Sequence, residues 1–147
     1  MDRRSIILGA GVAASLLALL PKAARATPQA AADLLGKLVK GTPQPGRIRL
    51  LAPDIADNGA AVPLTVAVES PMTDADHVTA IHVVADGNPS PGVISVRLGP
   101  HNGKAEVSLR IRLAASEKVI AVAEMKDGSL WIASRDVAVT VGGCGAN

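Results

Sequence analysis

The chain has 147 residues, of which 48% are hydrophobic, so it is long enough for one domain with its own apolar core. With one Trp and neither Phe nor Tyr, the core must be aliphatic, and the aromatic side chains on which nucleic-acid bases stack are nearly absent. The 15 basic and 13 acidic residues form no basic cluster, so composition and charge exclude a nucleic-acid-binding protein.

Residues 1–26 are predicted to be an export signal. Paired arginines, Arg3 and Arg4, precede an apolar run from Ile6 to Leu20, and Ala24-Arg25-Ala26 offers the small residues that a signal peptidase needs. The run is shorter than the roughly 20 residues that span a bilayer, so we expect no membrane anchor. The arginine pair favours the twin-arginine route to the periplasm, which carries folded proteins, over a general secretory signal.

Removal of this signal changes the charge of the protein. Four of the basic residues and one of the acidic residues fall within it, which leaves the rest of the chain with a net charge of −1. The mature protein therefore has no electrostatic preference for an anionic partner.

One helix is predicted, over Thr27–Lys40, where apolar residues recur at helical spacing and Gly41 can end the helix. Pro43 and Pro45 then break the pattern, so that residues 27–46 form a helix followed by a proline-rich link.

Seven strands are predicted between residues 47 and 141. They are Arg47–Leu51, Val62–Glu69, His77–Ala85, Val93–Leu98, Ala105–Leu113, Lys118–Glu124 and Leu130–Val141. Alternation of apolar and polar residues, with Asn-Gly and Asp-Gly turns between the runs, is typical of antiparallel strands that have one buried face. The expected fold is all-β: an immunoglobulin-like antiparallel β-sandwich of about seven strands with one N-terminal helix.

No catalytic or metal site is evident, and no cofactor is expected. His77 and His82 are five residues apart on one predicted strand, which places them on opposite faces, and His101 lies in a turn, so we expect exposed histidines without a metal. Asp74 and Asp76 are expected in a turn, and motifs for phosphate binding or a nucleophilic serine are absent. Trp131 is expected in the core or at its rim.

The most unusual feature is the tail, residues 142–147, where the single cysteine, Cys144, stands among Gly142, Gly143 and Gly145. Glycines permit almost any backbone angle and add no width, so the segment is predicted to be a flexible carrier arm that enters narrow sites. Lys, Arg and His are absent within eight residues of Cys144, so we expect a thiol that other proteins activate. The alternative is an exported interaction module whose cysteine is incidental or forms an intermolecular disulfide.

Short segments between Gly46 and Cys144 have an order and spacing that together are highly specific. They are Pro53-Asp54-Ile55-Ala56-Asp57-Asn58-Gly59, Val62-Pro63, Glu69-Ser70-Pro71-Met72-Thr73, Asn88-Pro89-Ser90-Pro91, Arg110-Ile111-Arg112-Leu113, Met125-Lys126-Asp127-Gly128 and Val139-Thr140-Val141-Gly142-Gly143-Cys144-Gly145. On these residues the sequence resembles the SoxY family, the sulfur-carrier subunits of the periplasmic thiosulfate-oxidising Sox system.

The resemblance implies a covalent carrier rather than an enzyme. Cys144 would be the attachment site for sulfur adducts, and Gly142, Gly143 and Gly145 would be its slender support. The expected partners are a SoxZ-like β-sandwich subunit, which forms a heterodimer with the carrier, and the enzymes SoxAX, SoxB and a SoxCD-like protein, which dock transiently. Thiosulfate would supply the sulfur. The family typically ends in Gly-Gly-Cys-Gly-Gly, whereas this chain has Ala146 and an additional Asn147.

Overall fold

The computed structural model describes residues 27–142. Helix α1 (Pro28–Leu38) begins at Thr27, whose side-chain oxygen accepts a 3.1 Å hydrogen bond from the backbone N–H of Ala30. A proline in the first turn suits a helix start, because the N–H that it lacks would have no partner there. The predicted helix is confirmed, with slightly narrower bounds.

Within residues 27–142, nine strands follow the helix. They are β1 (Gln44–Pro45), β2 (Ile48–Leu51), β3 (Ile55–Ala56), β4 (Val62–Val68), β5 (Val78–Ala85), β6 (Gly92–Arg97), β7 (Ala105–Ile111), β8 (Glu117–Met125) and β9 (Leu130–Val139). All seven predicted strands are confirmed, as β2 and β4 to β9. A 3₁₀ turn (Pro100–Asn102) connects β6 to β7.

The strands form two sheets that pack as an immunoglobulin-like sandwich. The larger sheet has the order β1-β9-β8-β5-β6, with β3 also paired to β9, and the smaller sheet has the order β2-β4-β7. Strands β4 to β9 and β2 pair antiparallel within their sheets. The predicted fold class is therefore confirmed.

Strands β1 and β3 were not predicted, and they pair parallel to β9 rather than antiparallel. Strand β1 lies beside the start of β9, where Gln44 is opposite Trp131, and β3 lies beside its end, where Ala56 is opposite Val139. The sandwich is thus not wholly antiparallel. Both strands have two residues, too few for a period-2 pattern, so their existence depends on contacts that are distant in sequence.

The core lies between the two sheets and follows the alternation in the sequence. On β4, Val62, Leu64, Val66 and Val68 are buried, while Pro63 between them is exposed. The same alternation on β8 directs its odd-numbered apolar residues to this core, together with apolar residues of β5 and β7. Aliphatic side chains fill the interior, as the composition requires.

The outer faces of the two sheets differ in what covers them. Helix α1 packs against the larger sheet, where Leu35 and Leu38 contact a cluster that includes Val122 and Leu130, and Ala31 is fully buried. The outer face of the smaller sheet is uncovered within residues 27–142, and we call it the open face. By alternation along the strands it carries Arg49, Leu51, Pro63, Thr65, Ala67, Glu106, Ser108 and Arg110.

Trp131 lies at the rim of the core, as predicted. Its side chain is half-buried against the core, and the guanidinium carbon of Arg47 lies 5.3 Å from its ring centroid. Gly46, at a φ of 127°, passes so close to this ring that a Cβ there would be 3.2 Å from it. Within the described residues, neither helix is long and apolar enough to cross a membrane.

Candidate functional site

The structure places one of the four predicted tail residues, Gly142, and the others, Gly143, Cys144 and Gly145, lie outside the described residues. Strand β9 leads directly to them, since it ends at Val139 and the described chain ends three residues later. We call residues 139–142 the arm root, because they join the sandwich to the segment that carries Cys144.

Strand β3 supports one side of the arm root. The backbone N–H of Thr140 donates to the carbonyl of Ala56 at 3.1 Å, and the Thr140 hydroxyl donates to the carbonyl of Asp57 at 2.9 Å. Upstream, Arg135 Nη2 lies 2.6 Å from Asp54 Oδ1. The parallel pairing of β3 with β9 therefore continues as hydrogen bonds for one residue beyond the last strand residue.

Gly59 links the arm root to the end of β7. Its backbone N–H donates to the carbonyl of Val141 at 2.7 Å, and its carbonyl accepts from the N–H of Leu113 at 2.8 Å. Gly59 is buried, whereas the side chain of Val141 is 51% exposed. The backbone of Val141 is thus fixed although its side chain faces solvent.

Ser116 supports the other side of the arm root. Its hydroxyl oxygen accepts a hydrogen bond from the N–H of Val139 at 2.8 Å and lies 3.4 Å from the carbonyl of Val139, to which it donates. One side chain therefore satisfies both backbone groups at the end of β9, where the pairing with β8 has ended at Glu117.

Gly142 passes against the backbone of Ala114. A Cβ built on Gly142 would lie closer than 3.0 Å to the Ala114 carbonyl oxygen, a separation that real Cβ atoms essentially never show. The φ angle of Gly142 is outside the positive range that favours glycine, so the close approach is what requires glycine here. The sequence predicted Gly142 as flexible support, and the structure places it in a narrow contact with a neighbouring loop.

The loop that contacts Gly142 is itself fixed to the β5–β6 connection. Asn88 Oδ1 accepts from the N–H of Ala114 at 2.8 Å, and Asn88 Nδ2 donates to the carbonyl of Arg112 at 2.9 Å. Glu117 accepts from the N–H of Gly87 at 3.0 Å and from the N–H of Ala115 at 3.4 Å. Movement of the Ala114 carbonyl away from Gly142 would therefore break these hydrogen bonds.

Burial dominates the electrostatics of Glu117. Desolvation raises the pKa of its carboxyl above the ordinary value, and this outweighs the N–H donors of Gly87 and Ala115, which lower it. The nearby carboxylate of Asp86 raises the pKa further. Glu117 thus holds the loop at the arm root, and burial makes the ionisation of its carboxyl group unfavourable.

The arm root can anchor a segment, and its hydrogen bonds bring no charged group to it. In the described part of the chain, these bonds come from backbone groups and from the hydroxyls of Ser116 and Thr140. Residues 27–142 also contain no group of three or more His, Cys, Asp or Glu side chains that could hold a metal ion. The arrangement is that of an anchor rather than of an acid–base site.

The histidine prediction is wrong for His82. His101 is exposed as expected and His77 is partly buried, whereas His82 is only 6% exposed and lies on the sheet face that α1 covers. Its Nδ1 lies 2.7 Å from Ser95 Oγ on β6, and its Nε2 lies 2.7 Å from Glu124 Oε2 on β8. Both ring nitrogens are paired across strands, which is why a histidine is tolerated in this buried position.

Sequence reasoning missed the residues that build the arm root. Asn58-Gly59 is one of the Asn-Gly turns that the sequence predicts, Asn88-Pro89 begins one of the matching segments, and no pattern indicates Ser116 or Glu117. Each acts through the backbone of a residue that is distant in sequence, so no local pattern indicates it. The occurrence of Asn58-Gly59 and Asn88 within the matching segments was the available signal.

Comparison with known proteins agrees with this architecture. A family model described as "Sulfur oxidation protein SoxY" matches residues 32–144. The structure of the sulfur carrier protein SoxY from Chlorobium limicola f thiosulfatophilum superimposes with a TM-score of 0.65 and 36% identity, covering 78% of this chain and 100% of that chain. A search of the curated proteins found no match.

More distant structures share the fold alone. A superoxide reductase (neelaredoxin) from Ignicoccus hospitalis has a TM-score of 0.57 at 19% identity, covering 64% of this chain and 80% of that chain. A putative superoxide reductase from Thermotoga maritima has a TM-score of 0.54 at 23% identity, covering 63% of this chain and 84% of that chain. Since the SoxY model spans most of the sequence and includes α1 from Ala32 onward, the chain belongs to the SoxY family of sulfur carriers, which are not enzymes.

Proposed function

We propose that this protein carries the sulfur intermediates of thiosulfate oxidation on Cys144 and presents them to the enzymes of the Sox system. The observation that carries the proposal is the position of the arm root. Strand β9 delivers the chain to Gly142 at the end of the sandwich, two residues before Cys144, and the SoxY family match extends to that cysteine.

The fixed arm root limits the distance that the Cys144 thiol can reach from the sandwich. Two residues span at most about 7 Å when extended, so Cys144 stays close to the loops around Gly59 and Ser116. Narrow glycines on both sides of the cysteine suit entry into a partner's active site, where the partner supplies the groups that activate the thiol.

The chemistry follows the family's cycle. The Cys144 sulfur and the sulfane sulfur of thiosulfate form a disulfide bond, the thiol proton is released, and an electron pair passes to the haem protein SoxAX. Hydrolysis by SoxB breaks the bond between the sulfane sulfur and the sulfonate group. The sulfonate group leaves as sulfate, and the sulfane sulfur stays on Cys144 as a persulfide. A SoxCD-like enzyme then takes electrons from the outer sulfur of the persulfide and oxidises it to a sulfonate, with oxygen from water, and a further hydrolysis releases this group as sulfate and regenerates the thiol. The protein needs no cofactor in this cycle, because its own sulfur atom is the carrier.

Intact-mass analysis tests this function. Protein isolated without reductant from cells grown on thiosulfate is expected to carry added sulfur or an added thiosulfate group, and a reducing agent should remove it. The Cys144→Ser variant should carry neither adduct, and its cells should lose thiosulfate oxidation. Free thiol alone in the wild type, together with normal thiosulfate oxidation by the variant, would show instead an interaction module with an incidental cysteine.

We place the SoxZ-like partner on the open face. Its centre carries small side chains, Thr65, Ala67 and Ser108, and a hollow of about 590 Å³ is lined in part by Leu51, which is 49% exposed. The open face carries two arginines, Arg49 and Arg110, and one acidic residue, Glu106, so its charge favours acidic groups on the partner. A sheet face with a hollow toward the end that carries Leu51 and Pro63 fits a second β-sandwich that brings an apolar side chain and carboxylates.

Two matched substitutions test this surface. Ser108→Arg puts a long cation at the centre of the open face, and we expect it to abolish co-purification with the SoxZ-like subunit. Ser134→Arg places the same change on an exposed position of β9, on the other sheet, and should leave the complex intact. Equal co-purification of the two variants, both with the wild-type melting temperature, would exclude the open face as the interface.

A further inference from the structure

We infer that Gly142 is a positioning residue, the fixed point from which the carrier segment leaves the sandwich. This inference rests on the proposed function and changes the role predicted for Gly142 from flexible support to anchor. The length of chain that can enter a partner's active site is then counted from Gly142, and Cys144 is the second residue after it.

Three independent contacts fix the residues immediately before Gly142. The N–H of Thr140 is bonded to Ala56, the carbonyl of Val141 accepts from Gly59 at 2.7 Å, and Ser116 binds both backbone groups of Val139. These contacts come from two segments of the chain, residues 56–59 and Ser116, which support different sides of the arm root.

The fourth contact, between Gly142 and Ala114, sets the direction in which the chain leaves. The obstructing atom is a backbone carbonyl oxygen, so no rotamer change can clear it. Ala114 is held on its amide side by Asn88, and the preceding residue, Leu113, donates to Gly59. Any side chain at position 142 would therefore have to displace the arm root itself, which gives the chain a different exit direction.

A fixed exit point constrains the partner enzymes. From Gly142, the Cα of Cys144 is reached within about 7 Å, so the reacting atoms of each enzyme must lie near its surface, at the bottom of a short slot. The loops around Asn58 and Ser116 then touch the rim of that slot whenever Cys144 reacts. Different enzymes that share this carrier must share a slot of similar depth.

A pair of glycine-to-alanine variants tests the inference. Gly142→Ala adds a methyl group at the proposed fixed point, and Gly143→Ala adds the same group one residue beyond it. We expect hydrogen exchange of the Gly59 and Leu113 amides to accelerate about tenfold or more in Gly142→Ala, as overpacking against a rigid neighbour implies. The same amides in Gly143→Ala should exchange at the wild-type rate.

The second measurement is attachment of thiosulfate to Cys144 by the partner enzyme. In Gly142→Ala it should slow about tenfold or more, while a small disulfide reagent labels the thiol at the wild-type rate, because the exit direction changes and the thiol itself does not. If Gly142→Ala does not fold, Ser116→Ala, which removes two bonds to Val139, should also slow enzymatic attachment and leave the chemical labelling unchanged.

The outcomes separate this inference from the proposed function. Wild-type amide exchange in Gly142→Ala, or equal acceleration in both glycine variants, overturns the role of Gly142. If the wild-type protein accepts no sulfur from any Sox enzyme, the proposed function fails, whereas the exchange comparison still decides whether Gly142 is fixed.

Discussion

Glu117 joins the two loops on which the arm root rests, and it does so at an electrostatic cost. Its carboxyl accepts from the backbone N–H groups of Gly87 and Ala115, yet burial keeps its pKa above the ordinary glutamate value. The folded protein therefore holds this proton more tightly than the unfolded chain does. The loops beside the arm root are therefore joined by a glutamate whose environment favours the protonated, neutral carboxyl.

This raised pKa predicts how the stability of the protein depends on pH. The contribution of protonated Glu117 is fully present below the ordinary glutamate pKa and is lost as pH rises through the raised pKa. Over the pH range that begins at the ordinary glutamate pKa, wild-type protein should therefore lose stability relative to Glu117→Gln as the pH rises. Urea unfolding of both proteins across this range measures the difference. A difference that stays constant with pH would contradict the effect of burial on Glu117.

His82 allows a second test at the scale of a single residue. His82→Ala leaves a cavity and removes the partner of Glu124, so we expect a loss of about 2–3 kcal/mol of unfolding free energy. The exposed His101 is the control, and His101→Ala should change stability by less than about 0.5 kcal/mol. Chemical denaturation measures both values, and equal effects would mean that the paired ring of His82 contributes nothing.

At the scale of elements, α1 is stabilised by its contact with the larger sheet rather than by its own length. An isolated helix of 11 residues is marginal in water, and this one carries a single side-chain cap at Thr27. Its buried contacts, Ala31 and the leucines against Val122 and Leu130, hold it in place. The helix in turn covers the sheet face that contains His82.

Two adjacent alanines of α1 test this dependence. Ala31 is fully buried and Ala32 is exposed, so the same substitution meets opposite surroundings one residue apart. Ala31→Arg should cost about 2–3 kcal/mol or displace the helix, whereas Ala32→Arg should change stability by less than about 0.5 kcal/mol. Urea unfolding measures both, with helical circular dichroism as a check on docking. Similar values for the two variants would show that α1 does not depend on its sheet contact.

The elements also show where sequence reasoning succeeds and where it stops. The seven longer strands were predictable because period-2 alternation and Asn-Gly or Asp-Gly turns are local signals, as β4 and β8 illustrate. Strands β1 and β3 were missed because two residues cannot show a period, and their pairing with β9 depends on the tertiary fold. The arm root was missed for the same reason, since Gly59 and Ser116 act on the backbone of distant residues.

At the scale of the whole molecule, one end of the sandwich is specialised and one sheet face is left open. The end that contains Gly59, Ala114 and Ser116 holds the arm root, and the open face of the smaller sheet is our proposed partner surface. The two regions belong to different surfaces, so under the proposed function the partner would stay bound while successive enzymes approach the carrier segment. The division of the chain into residues 1–26, 27–46, 47–141 and 142–147 stays a prediction.

Export of the folded carrier is the prediction that belongs to this scale. The twin-arginine route accepts folded cargo, which would allow a leaderless SoxZ-like subunit to cross together with this chain. Replacement of both Arg3 and Arg4 by lysine should leave both proteins in the cytoplasm, whereas Arg25→Lys, outside the pair, should not. Cell fractionation measures the outcome, and normal export of the double variant would point to the general secretory route. These residues lie outside the described part of the chain.

The placement of β9 inside its sheet has a mechanical consequence. Strand β8 lies along one side of β9, and the short strands β1 and β3 lie along the other, so β9 has neighbours on both sides near its two ends. Under the proposed function, an enzyme that binds the carrier segment and then dissociates would pull on the end of β9 through the arm root. The part of this force that acts along β9 would be resisted by the hydrogen bonds on both sides of the strand together. An edge strand that is pulled sideways would instead lose its hydrogen bonds one at a time. The carrier can therefore be withdrawn from a tight slot without unravelling the strand that holds it.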